Sequence, residues 1–341
     1  MFPSLMTIPA ALLDGSRATG RRHVAGIDGG ATKTVAAVLS LDTFDLRFGH
    51  GGPSNVDAVG VAAAASAIRD ALREALGEAG VDAGAVGTAV IGLAGTPSEE
   101  LAESVGGDFA PGVASYFVND VIAAWASGTW LEPGVAVISG TGSHVFGVNA
   151  AGESWRTGGW GHILGDEGSG YWLGLSGMRA ALRYRDGSGP ETVLLDSAVA
   201  FYQLEAVEDL QPLVYGKPLT KREIAAFTEE VEKAATAGDR VAAALYETAA
   251  RELAAQTRAP IEKLRLDGAF KVALVGGVFA SGELLRKPFE ASVQAFAPRA
   301  QFVVPEIPPV GGSLLLGLRA EGVADDYDRD ALRAALSGEM D

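Results

Sequence analysis

The fold of this chain is decided by residues 23–39, which read HVAGIDGGATKTVAAVL. Two apolar runs flank a turn that contains Gly29 and Gly30. Glycine adopts the positive φ angles of tight turns without a steric penalty, so a glycine pair between two strand-forming runs is typical of a β-hairpin. The segment predicts two antiparallel strands at the start of an α/β domain.

The hairpin pattern occurs a second time at residues 134–148. Two apolar runs there flank the turn Ser139-Gly140-Thr141-Gly142-Ser143. A helical pattern over 56–79, which ends at Gly80, and short apolar runs such as 271–275 lie around the hairpins. Two halves that each begin with a glycine-centred hairpin predict a duplicated α/β fold with a ligand cleft between the halves.

The composition restricts the class of protein. The chain has 341 residues, 48% of them hydrophobic, and no apolar run approaches the roughly 20 residues that a membrane span needs. With 27 basic and 43 acidic residues the formal net charge is −16, which disfavours binding to the phosphates of nucleic acids. The absence of cysteine excludes disulfides, iron–sulfur clusters and cysteine-ligated zinc. We expect a cytoplasmic two-domain protein whose partners are neither nucleic acids nor membranes.

Residues 1–22 precede the first predicted strand. This segment is mildly apolar over 6–13, and its arginines follow the apolar part. A secretory signal peptide has its positive charges before a longer apolar region. We interpret residues 1–22 as a flexible leader and not as a targeting signal.

The first glycine turn carries groups that suit a phosphate. Its glycines let backbone N–H groups approach an anion closely, and Thr32 and Lys33 add side-chain donors. Asp28 stands at the strand end, where it would face the phosphates as a Mg²⁺ ligand acting through water. An ordinary β-turn explains the same residues equally well. The turn is not a Walker P-loop, because the chain contains no G-x-x-x-x-G-K-[ST] motif.

Two further glycine turns are candidates for nucleotide binding. The turn around Thr141 offers three hydroxyls and two glycines as a second phosphate cradle. Gly276-Gly277 follows a predicted strand and precedes a helix, which suits the packing of adenosine on bare backbone. Either turn alone is a weak signal, but two similar turns at corresponding places in two halves favour a shared ligand.

Asp120 ends a short predicted strand, 116–120, and precedes a predicted helix. Aspartate is among the best N-cap residues, so a purely structural role explains its position. A carboxylate at the carboxyl end of a strand in an α/β cleft also lies where ligands bind, and there it can serve as general base for phosphoryl transfer. The residues alone leave both interpretations open.

The densest motif is the loop at residues 157–172, TGGWGHILGDEGSGYW. Six glycines in this loop are unsuited to the interior of a helix or strand and favour either close approach of the backbone to a ligand or close packing. Asp166 and Glu167 are adjacent carboxylates that can accept hydrogen bonds from sugar hydroxyls, and Trp160 can cover a sugar ring. Core packing is the commoner fate of a tryptophan.

These motifs together resemble the N-acetylglucosamine kinase and benzoyl-CoA-reductase-activator-type ATPase family, within the sugar kinase/Hsp70/actin superfamily. The resemblance covers residues 23–321 and is most specific in Gly158-Gly159-Trp160-Gly161-His162 and Gly165-Asp166-Glu167-Gly168-Ser169. It implies a duplicated ribonuclease-H-like (actin-like ATPase) fold of two lobes. The expected lobes are 23–123 with 308–325, and 124–307 with the adenosine site and a helical region.

The resemblance also implies a reaction, the phosphorylation of a hexosamine at its 6-hydroxyl by ATP with Mg²⁺. Asp120 matches the catalytic base, and Asp28 lies near the Mg²⁺. The residues that match sugar ligands are Asn55, Asp120, Gly159, Trp160 and Asp166. Glu167, the carboxylate next to Asp166, is expected to bind the sugar as well. The residues that match ATP ligands are Gly30, Thr32, Lys33, Thr141, Gly276, Gly277 and Ser281.

Departures from the family pattern keep alternatives open. Ala31 replaces a third glycine, and Val56-Asp57 follows Asn55 where the mammalian kinases have a tryptophan near the acetamido group. Free glucosamine is therefore a candidate beside N-acetylglucosamine. A sugar-independent ATPase with a regulatory role, and a sugar-binding protein without catalysis, are the other hypotheses. The family also leads us to expect a homodimer formed through the helical region.

Overall fold

The computed structural model describes residues 7–15, 19–95, 98–107, 109, 111–216, 219–280 and 282–339. Ten strands lie in these ranges: β1 (His23–Gly29), β2 (Thr34–Ser40), β3 (Leu46–Gly51), β4 (Val86–Leu93), β5 (Ala114–Asn119), β6 (Gly134–Ser139), β7 (Ser143–Val148), β8 (Ser154–Gly158), β9 (Phe270–Val275) and β10 (Ala300–Val303). The helices are α1 (Val56–Val59), α2 (Val61–Ala79), α3 (Glu99–Gly106), α4 (Asp120–Thr129), α5 (Gly170–Arg185), α6 (Leu194–Tyr202), α7 (Leu210–Tyr215), α8 (Lys221–Ala226), α9 (Thr228–Thr236), α10 (Arg240–Lys263), α11 (Gly277–Ala280), α12 (Glu283–Gln294), α13 (Pro309–Ala320) and α14 (Arg329–Leu336).

The strands form two five-stranded sheets with the same strand order. The order is β3-β2-β1-β4-β5 in the first sheet and β8-β7-β6-β9-β10 in the second. In each sheet the first three strands in the chain pair antiparallel, and the last two run parallel to the first strand. The predicted duplication of an α/β plan is confirmed by this topology.

Both predicted hairpins are present. β1 and β2 pair from His23 opposite Ser40 to Gly29 opposite Thr34, and β6 and β7 pair up to Ser139 opposite Ser143. Because β1, β4 and β5 are parallel, their carboxyl ends lie along one edge of the first sheet. Ligands of α/β proteins commonly bind at such edges. The glycine turns after β1 and β6 lie at these edges, and so does Asp120 directly after β5.

Helices α4 and α13 pack on each other between the two sheets. α13 lies on β1 and β4 of the first sheet, and α4 lies on β6 and β9 of the second. Trp125 of α4 is fully buried and meets Phe146 of β7 edge to face, with 6.3 Å between ring centroids. Since α4 is continuous, the predicted lobe boundary at residues 123–124 falls inside a helix that contacts both halves.

The predicted helix over 56–79 is two helices. Gly60 separates α1 from α2 with φ of 79° and ψ of 163°, a conformation outside the helical region that glycine adopts readily. Gly80 ends α2 in the left-handed conformation, as predicted, and its N–H donates to the carbonyls of Leu76 and Gly77.

The edge strands β3 and β8 and the last helix were not predicted from the sequence. β3 and β8 read LRFGHG and SWRTG, and charged residues mixed with glycine hide the alternation that identifies a strand. α14 is short, and its Leu332 and Leu336 join the apolar cluster around α13, where Leu336 lies close to Gly311 at the start of that helix. All three elements are recognisable only from their tertiary neighbours.

The helical region of the second half was predicted and is present. α5 to α10 enclose a core that includes Phe227, Tyr246 and Leu253. α8 is pressed against α5, since a Cβ on Gly174 would lie 2.1 Å from the Ile224 carbonyl oxygen. In the part of the chain that the structure describes, no helix is long and apolar enough to cross a membrane.

The described residues of the N-terminal segment pack onto the protein. Leu12 is fully buried, and the Thr19 N–H and hydroxyl both donate to the Glu321 carboxylate at 3.1 and 2.9 Å. The Thr88 hydroxyl of β4 donates to the other Glu321 oxygen at 2.6 Å. A flexible leader was expected here, whereas residues 7–15 and 19–22 are held beside the end of α13.

Replacing Gly312 by alanine should destabilise the protein. A Cβ at this position would lie 2.0 Å from the Ala123 carbonyl oxygen, so α13 and α4 would have to separate. We expect the free energy of unfolding to fall by roughly 1–3 kcal/mol in urea denaturation. Gly77→Ala is the control, because nothing lies within 4 Å of its Cβ and alanine favours the helix. Equal stability of both variants would contradict the importance of this helix contact.

Candidate active site

Asp28 and Asp120 are brought together at the carboxyl ends of β1 and β5. Both carboxylates are half-buried. The pKa of Asp120 is raised to about 7, first by burial and then by the Asp28 carboxylate, against the opposing effects of the Val121 N–H and Lys221. Burial likewise raises the pKa of Asp28 to about 6, and Lys33 opposes this rise. Two desolvated carboxylates that repel each other are typical of a site that receives a proton or a cation.

Asn119, and not Asp120, caps helix α4. The Asn119 side-chain oxygen accepts from the Val121 N–H at 3.2 Å, and its side-chain nitrogen donates to the Gly95 carbonyl at 3.2 Å. Asp120 is thereby fixed as the first residue of the helix while another side chain performs the capping. The capping interpretation of Asp120 is wrong for this reason, and its carboxylate is left for another role.

The first glycine turn is closed and joined to Asn55. The Gly30 N–H donates to the Lys33 carbonyl at 3.0 Å, and the Gly30 carbonyl accepts from the Ser54 and Asn55 N–H groups at 3.0 and 3.2 Å. Thr32 and Lys33 lie exposed at the tip of the hairpin. The predicted sugar ligand Asn55 is therefore held by the same turn that is predicted to bind phosphate.

Asn55 caps α1 and lies beside a second carboxylate. Its side-chain oxygen accepts from the Asp57 N–H at 3.1 Å. A Cβ on Gly95 would lie 2.8 Å from both the Asn55 Oδ1 and the Asp57 Oδ2, so these oxygens converge on one point. Asn119 also contacts Gly95, which connects this group of acceptor oxygens to the residue before Asp120.

The second glycine turn is bonded to residues 158–169, here called the sugar loop because it carries the predicted sugar ligands. The Ser139 and Ser143 hydroxyls donate to the carbonyls of Gly168 and Glu167, both at 2.8 Å. The Gly170 N–H donates to the Gly140 carbonyl at 2.8 Å. Two of the three hydroxyls expected to cradle a phosphate are thus used inside the protein, and only Thr141 lies exposed.

Asp166 has a positive φ of 64° and is only 3% exposed. Its Oδ1 accepts from the Ser143 N–H at 3.1 Å, and its Oδ2 lies 2.7 Å from the Lys221 ammonium. A carboxylate can accept about four hydrogen bonds, but very little of this side chain is exposed. Sugar binding by Asp166 stays a prediction, and its position at the base of the loop is now defined.

The neighbouring Glu167 is supported from α10. Its side chain is half-buried, and the Gln256 side-chain nitrogen lies 3.5 Å from its Oε2 and 3.4 Å from its carbonyl. A Cβ on Gly158 would lie 2.5 Å from the Gln256 Oε1. Gln256 therefore touches both ends of the sugar loop.

Gly159 and Trp160 lie above His144. Gly159 has a φ of 69°, and a Cβ there would lie 2.8 Å from the His144 ring. Burial, followed by Arg156, lowers the pKa of His144 to about 3, so the ring is neutral at physiological pH. The Arg156 guanidinium lies 4.7 Å from the Trp160 ring, which is 64% exposed. The Trp160 ring is therefore largely exposed although Arg156 lies over it.

Gly276 and Gly277 have different surroundings: the first is closely packed and the second is open. Gly276 has a φ of 100°, and a Cβ there would lie 2.4 Å from the Ser139 carbonyl oxygen, so the end of β9 is pressed against the second turn. Gly277 and Gly140 have nothing within 4 Å of a built Cβ. Packing gives no reason for glycine at these two positions, which leaves room for a ligand. Ser281 lies outside the described residues.

The donor set fits Mg²⁺ only together with a phosphate ligand. Among the residues that the structure describes, no group of three or more His, Asp or Glu side chains can hold a metal ion. Mg²⁺ is commonly held by one or two carboxylates while substrate phosphates and water complete its shell. The half-buried, mutually repelling Asp28 and Asp120 carboxylates suit this arrangement, since a cation nearby would relieve their raised pKa values.

Sequence reasoning missed four residues that organise the site: Asn119, His144, Lys221 and Gln256. Asn119 had a signal, because asparagine is as good an N-cap as aspartate. Lys221 and Gln256 come from the helical region and have no motif around them. Only the tertiary fold brings them to the glycine turns.

Comparisons with known proteins point to one family. A profile of the BadF/BadG/BcrA/BcrD ATPase family matches residues 25–317. An N-acetylmuramic acid/N-acetylglucosamine kinase from Clostridium acetobutylicum is 33% identical over 287 residues, which cover 83% of this chain and 94% of the relative. An N-acetyl-D-glucosamine kinase from Dictyostelium discoideum is 30% identical, with 87% and 98% covered.

A solved structure supports the fold. The Chromobacterium violaceum protein named as an N-acetylglucosamine kinase superposes with a TM-score of 0.68 at 26% identity, and the match covers 87% of this chain and 99% of that one. The match spans both halves of the chain. The prediction of a two-lobe, actin-like fold is confirmed by this likeness together with the repeated sheet topology.

Asp120→Asn should stabilise the ligand-free protein at neutral and alkaline pH. The pKa of Asp120 rises from 3.8 to about 7 on folding, so its stabilising proton is present below pH 3.8 and is lost as the pH rises through 7. Asparagine carries no charge, and above pH 7 we expect the variant to gain roughly 1–2 kcal/mol, allowing for partial solvent screening.

The measurement is urea unfolding between pH 4 and 8.5 with EDTA present. The gain should shrink towards pH 4, because the pH then approaches the unfolded pKa of 3.8 and Asp120 keeps its proton in the folded state. Asp196→Asn, at an exposed position of α6, is the control and should show no such pH-dependent gain. A gain that is independent of pH would contradict the raised pKa of Asp120.

Proposed function

The chain belongs to the BadF/BadG/BcrA/BcrD ATPase family, and we propose that it is an ATP-dependent kinase that phosphorylates a hexosamine at the 6-hydroxyl. The observation that carries the proposal is the Asp120 carboxylate, which is fixed at the start of α4 but relieved of capping by Asn119. It is coupled to Asp28 of the first glycine turn. The amino-sugar kinases among the relatives support a sugar as the second substrate.

In the proposed reaction Mg-ATP supplies the phosphoryl group. The bare backbone at Gly30, the Thr32 hydroxyl and Lys33 hold the phosphates from one half, and Thr141 holds them from the other. Gly276 and Gly277 take the adenosine, as does Ser281 by the family resemblance. Asp28 faces the Mg²⁺ through water. Groups that are fixed before the substrates arrive reduce the barrier, because positioning and charge stabilisation dominate phosphoryl transfer.

Asp120 is the proposed general base. It accepts the proton of the sugar hydroxyl as the phosphoryl group is transferred, and a pKa of about 7 suits that task at physiological pH. The sugar ring is oriented by Asn55, Gly159 and Trp160, with the Asp166 and Glu167 carboxylates accepting from its hydroxyls.

Free glucosamine is a strong candidate for the sugar, beside N-acetylglucosamine. Val56 and Asp57 stand where the mammalian kinases have a tryptophan. The Asp57 Oδ2 and Asn55 Oδ1 converge on the space beside Gly95. Two acceptor oxygens, one of them charged, suit an ammonium group better than an acetamido group. We propose that Asp57 contacts the 2-ammonium group of glucosamine.

A sugar-independent ATPase of the same fold is the second candidate, favoured by the name of the family. In that case ATP hydrolysis would proceed without any sugar. ATP, but not a hexosamine, would then raise the melting temperature of the protein. The kinase proposal predicts the opposite, namely negligible hydrolysis until a sugar is added.

The substrate panel is glucosamine, N-acetylglucosamine, N-acetylmuramic acid, glucose and N-acetylmannosamine with ATP and Mg²⁺. A coupled assay for ADP should give turnover with an amino sugar, and NMR of the product should place the phosphate on the 6-oxygen. Asp120→Asn should lower kcat by at least about 100-fold, because general-base catalysis contributes 10²–10⁴-fold. Asp196→Asn is the control. Near-normal turnover by a folded Asp120→Asn protein would eliminate the base assignment.

Asp57→Asn should change substrate preference. Loss of the charge should raise KM for glucosamine by roughly 5- to 10-fold, while KM for N-acetylglucosamine and kcat with both sugars change little. The asparagine keeps the backbone N–H that donates to Asn55, so α1 stays capped. An equal effect on both sugars would show that Asp57 does not read the amino group.

A further inference from the structure

Lys221 lies against the second glycine turn although it comes from the helical region. It is the first residue of α8, and its ammonium lies 2.7 Å from the Asp166 Oδ2. A Cβ on Gly142 would lie 2.8 Å from the same ammonium. The Lys221 side chain is 33% exposed, whereas the Asp166 side chain is 4% exposed. A cation is thus fixed beside a turn that contains no basic residue of its own.

The contact with Asp166 engages only one of the N–H donors of the Lys221 ammonium. An ammonium has three N–H donors, and the Asp166 Oδ2 occupies one direction. The Asp166 Oδ1 is already held by the Ser143 N–H, which directs the carboxylate at Lys221 and keeps it there. The pair neutralises the buried Asp166 carboxylate, while one third of the Lys221 side chain stays exposed to solvent. The exposed side of Lys221 is available to a ligand on the turn.

Each of the two glycine turns has a lysine at it, since Lys33 belongs to the first turn and the Lys221 ammonium lies beside Gly142 of the second. Lys221 contributes a lowering of the pKa of Asp120, as Lys33 does for Asp28. In a chain with a net charge of −16, a cation at each turn is what an ATP-binding cleft requires.

We propose that Lys221 is a phosphate-binding residue, whose ammonium is held by Asp166 and contacts the terminal phosphate of ATP on the second turn. The proposal rests on the proposed ATP-dependent function and adds a residue to that site. Lysine binds phosphate as a compact point charge, and it can do so while keeping its bond to Asp166. The alternative is a purely structural role, in which Lys221 only holds Asp166 and the sugar loop in place.

The two roles differ in which ligand loses affinity. Lys221→Met should weaken binding of the non-hydrolysable analogue AMPPNP, with Mg²⁺, by about tenfold or more in calorimetry, because a charge-assisted hydrogen bond is lost. Binding of adenosine should be unchanged. With the best sugar of the panel, kcat should fall, and Lys221→Arg should restore part of both losses. Arg222→Met, at the exposed next residue, is the matched control.

A second measurement uses the wild-type protein and does not depend on how a variant folds. Reductive methylation followed by mass spectrometry should show that AMPPNP with Mg²⁺ protects Lys221, whereas adenosine leaves it reactive. Unchanged AMPPNP affinity in a folded Lys221→Met protein, with only a higher sugar KM, would overturn the proposal in favour of the purely structural role. Lack of protection by AMPPNP would overturn it as well.

These outcomes are separate from those of the proposed function. If the wild-type protein binds AMPPNP but phosphorylates no sugar, the kinase proposal fails, while the calorimetry and protection results still decide the role of Lys221. If sugar phosphorylation is normal and Lys221→Met behaves like Arg222→Met, the kinase proposal stands and the inference about Lys221 fails.

Discussion

The contact between α4 and α13 is the constraint on which the site depends. Gly312 lets the two helices approach until a built Cβ would overlap the Ala123 carbonyl oxygen at 2.0 Å. The next residue, Ser313, donates to the Ile27 carbonyl at 3.0 Å, one residue before Asp28. α13 thus fixes the strand that carries Asp28, and through α4 it fixes Asp120. Because α4 also packs on the second sheet, the same contact sets how the two halves meet.

This arrangement keeps two carboxylates close together and partly out of water. Burial raises the pKa of both, and in the absence of ligands their ionisation destabilises the folded state. The rest of the fold offsets that cost through the large core around α4 and α13. Functional sites commonly retain such unfavourable charge, because a ligand that neutralises it then binds more tightly.

The parts of the site that could be predicted from the sequence are those built from local turns. The hairpins at Gly29-Gly30 and Gly140 are recognisable by glycines between apolar runs, and their repetition predicts the duplicated plan. The order of the strands in each sheet is known only from the structure. Which hydroxyl faces outward could not be predicted, since Ser139 and Ser143 are used only when the loop at 166–170 folds back. The choice between Asn119 and Asp120 as the cap is likewise decided by Gly95, which sequence does not place nearby.

The two halves differ in where the lysine at each glycine turn comes from, and this difference determines which parts of the fold must form before the site is complete. The first turn contains its own lysine, Lys33, so its positive charge belongs to the hairpin itself. The second turn has none between Ser139 and Ser143, and its nearest cation is Lys221 on α8. α8 is held in place by α5, and α5 begins at Gly170, directly after the sugar loop. Loop, turn and Lys221 are therefore one unit, and the charge of the second turn depends on the packing of the helical region.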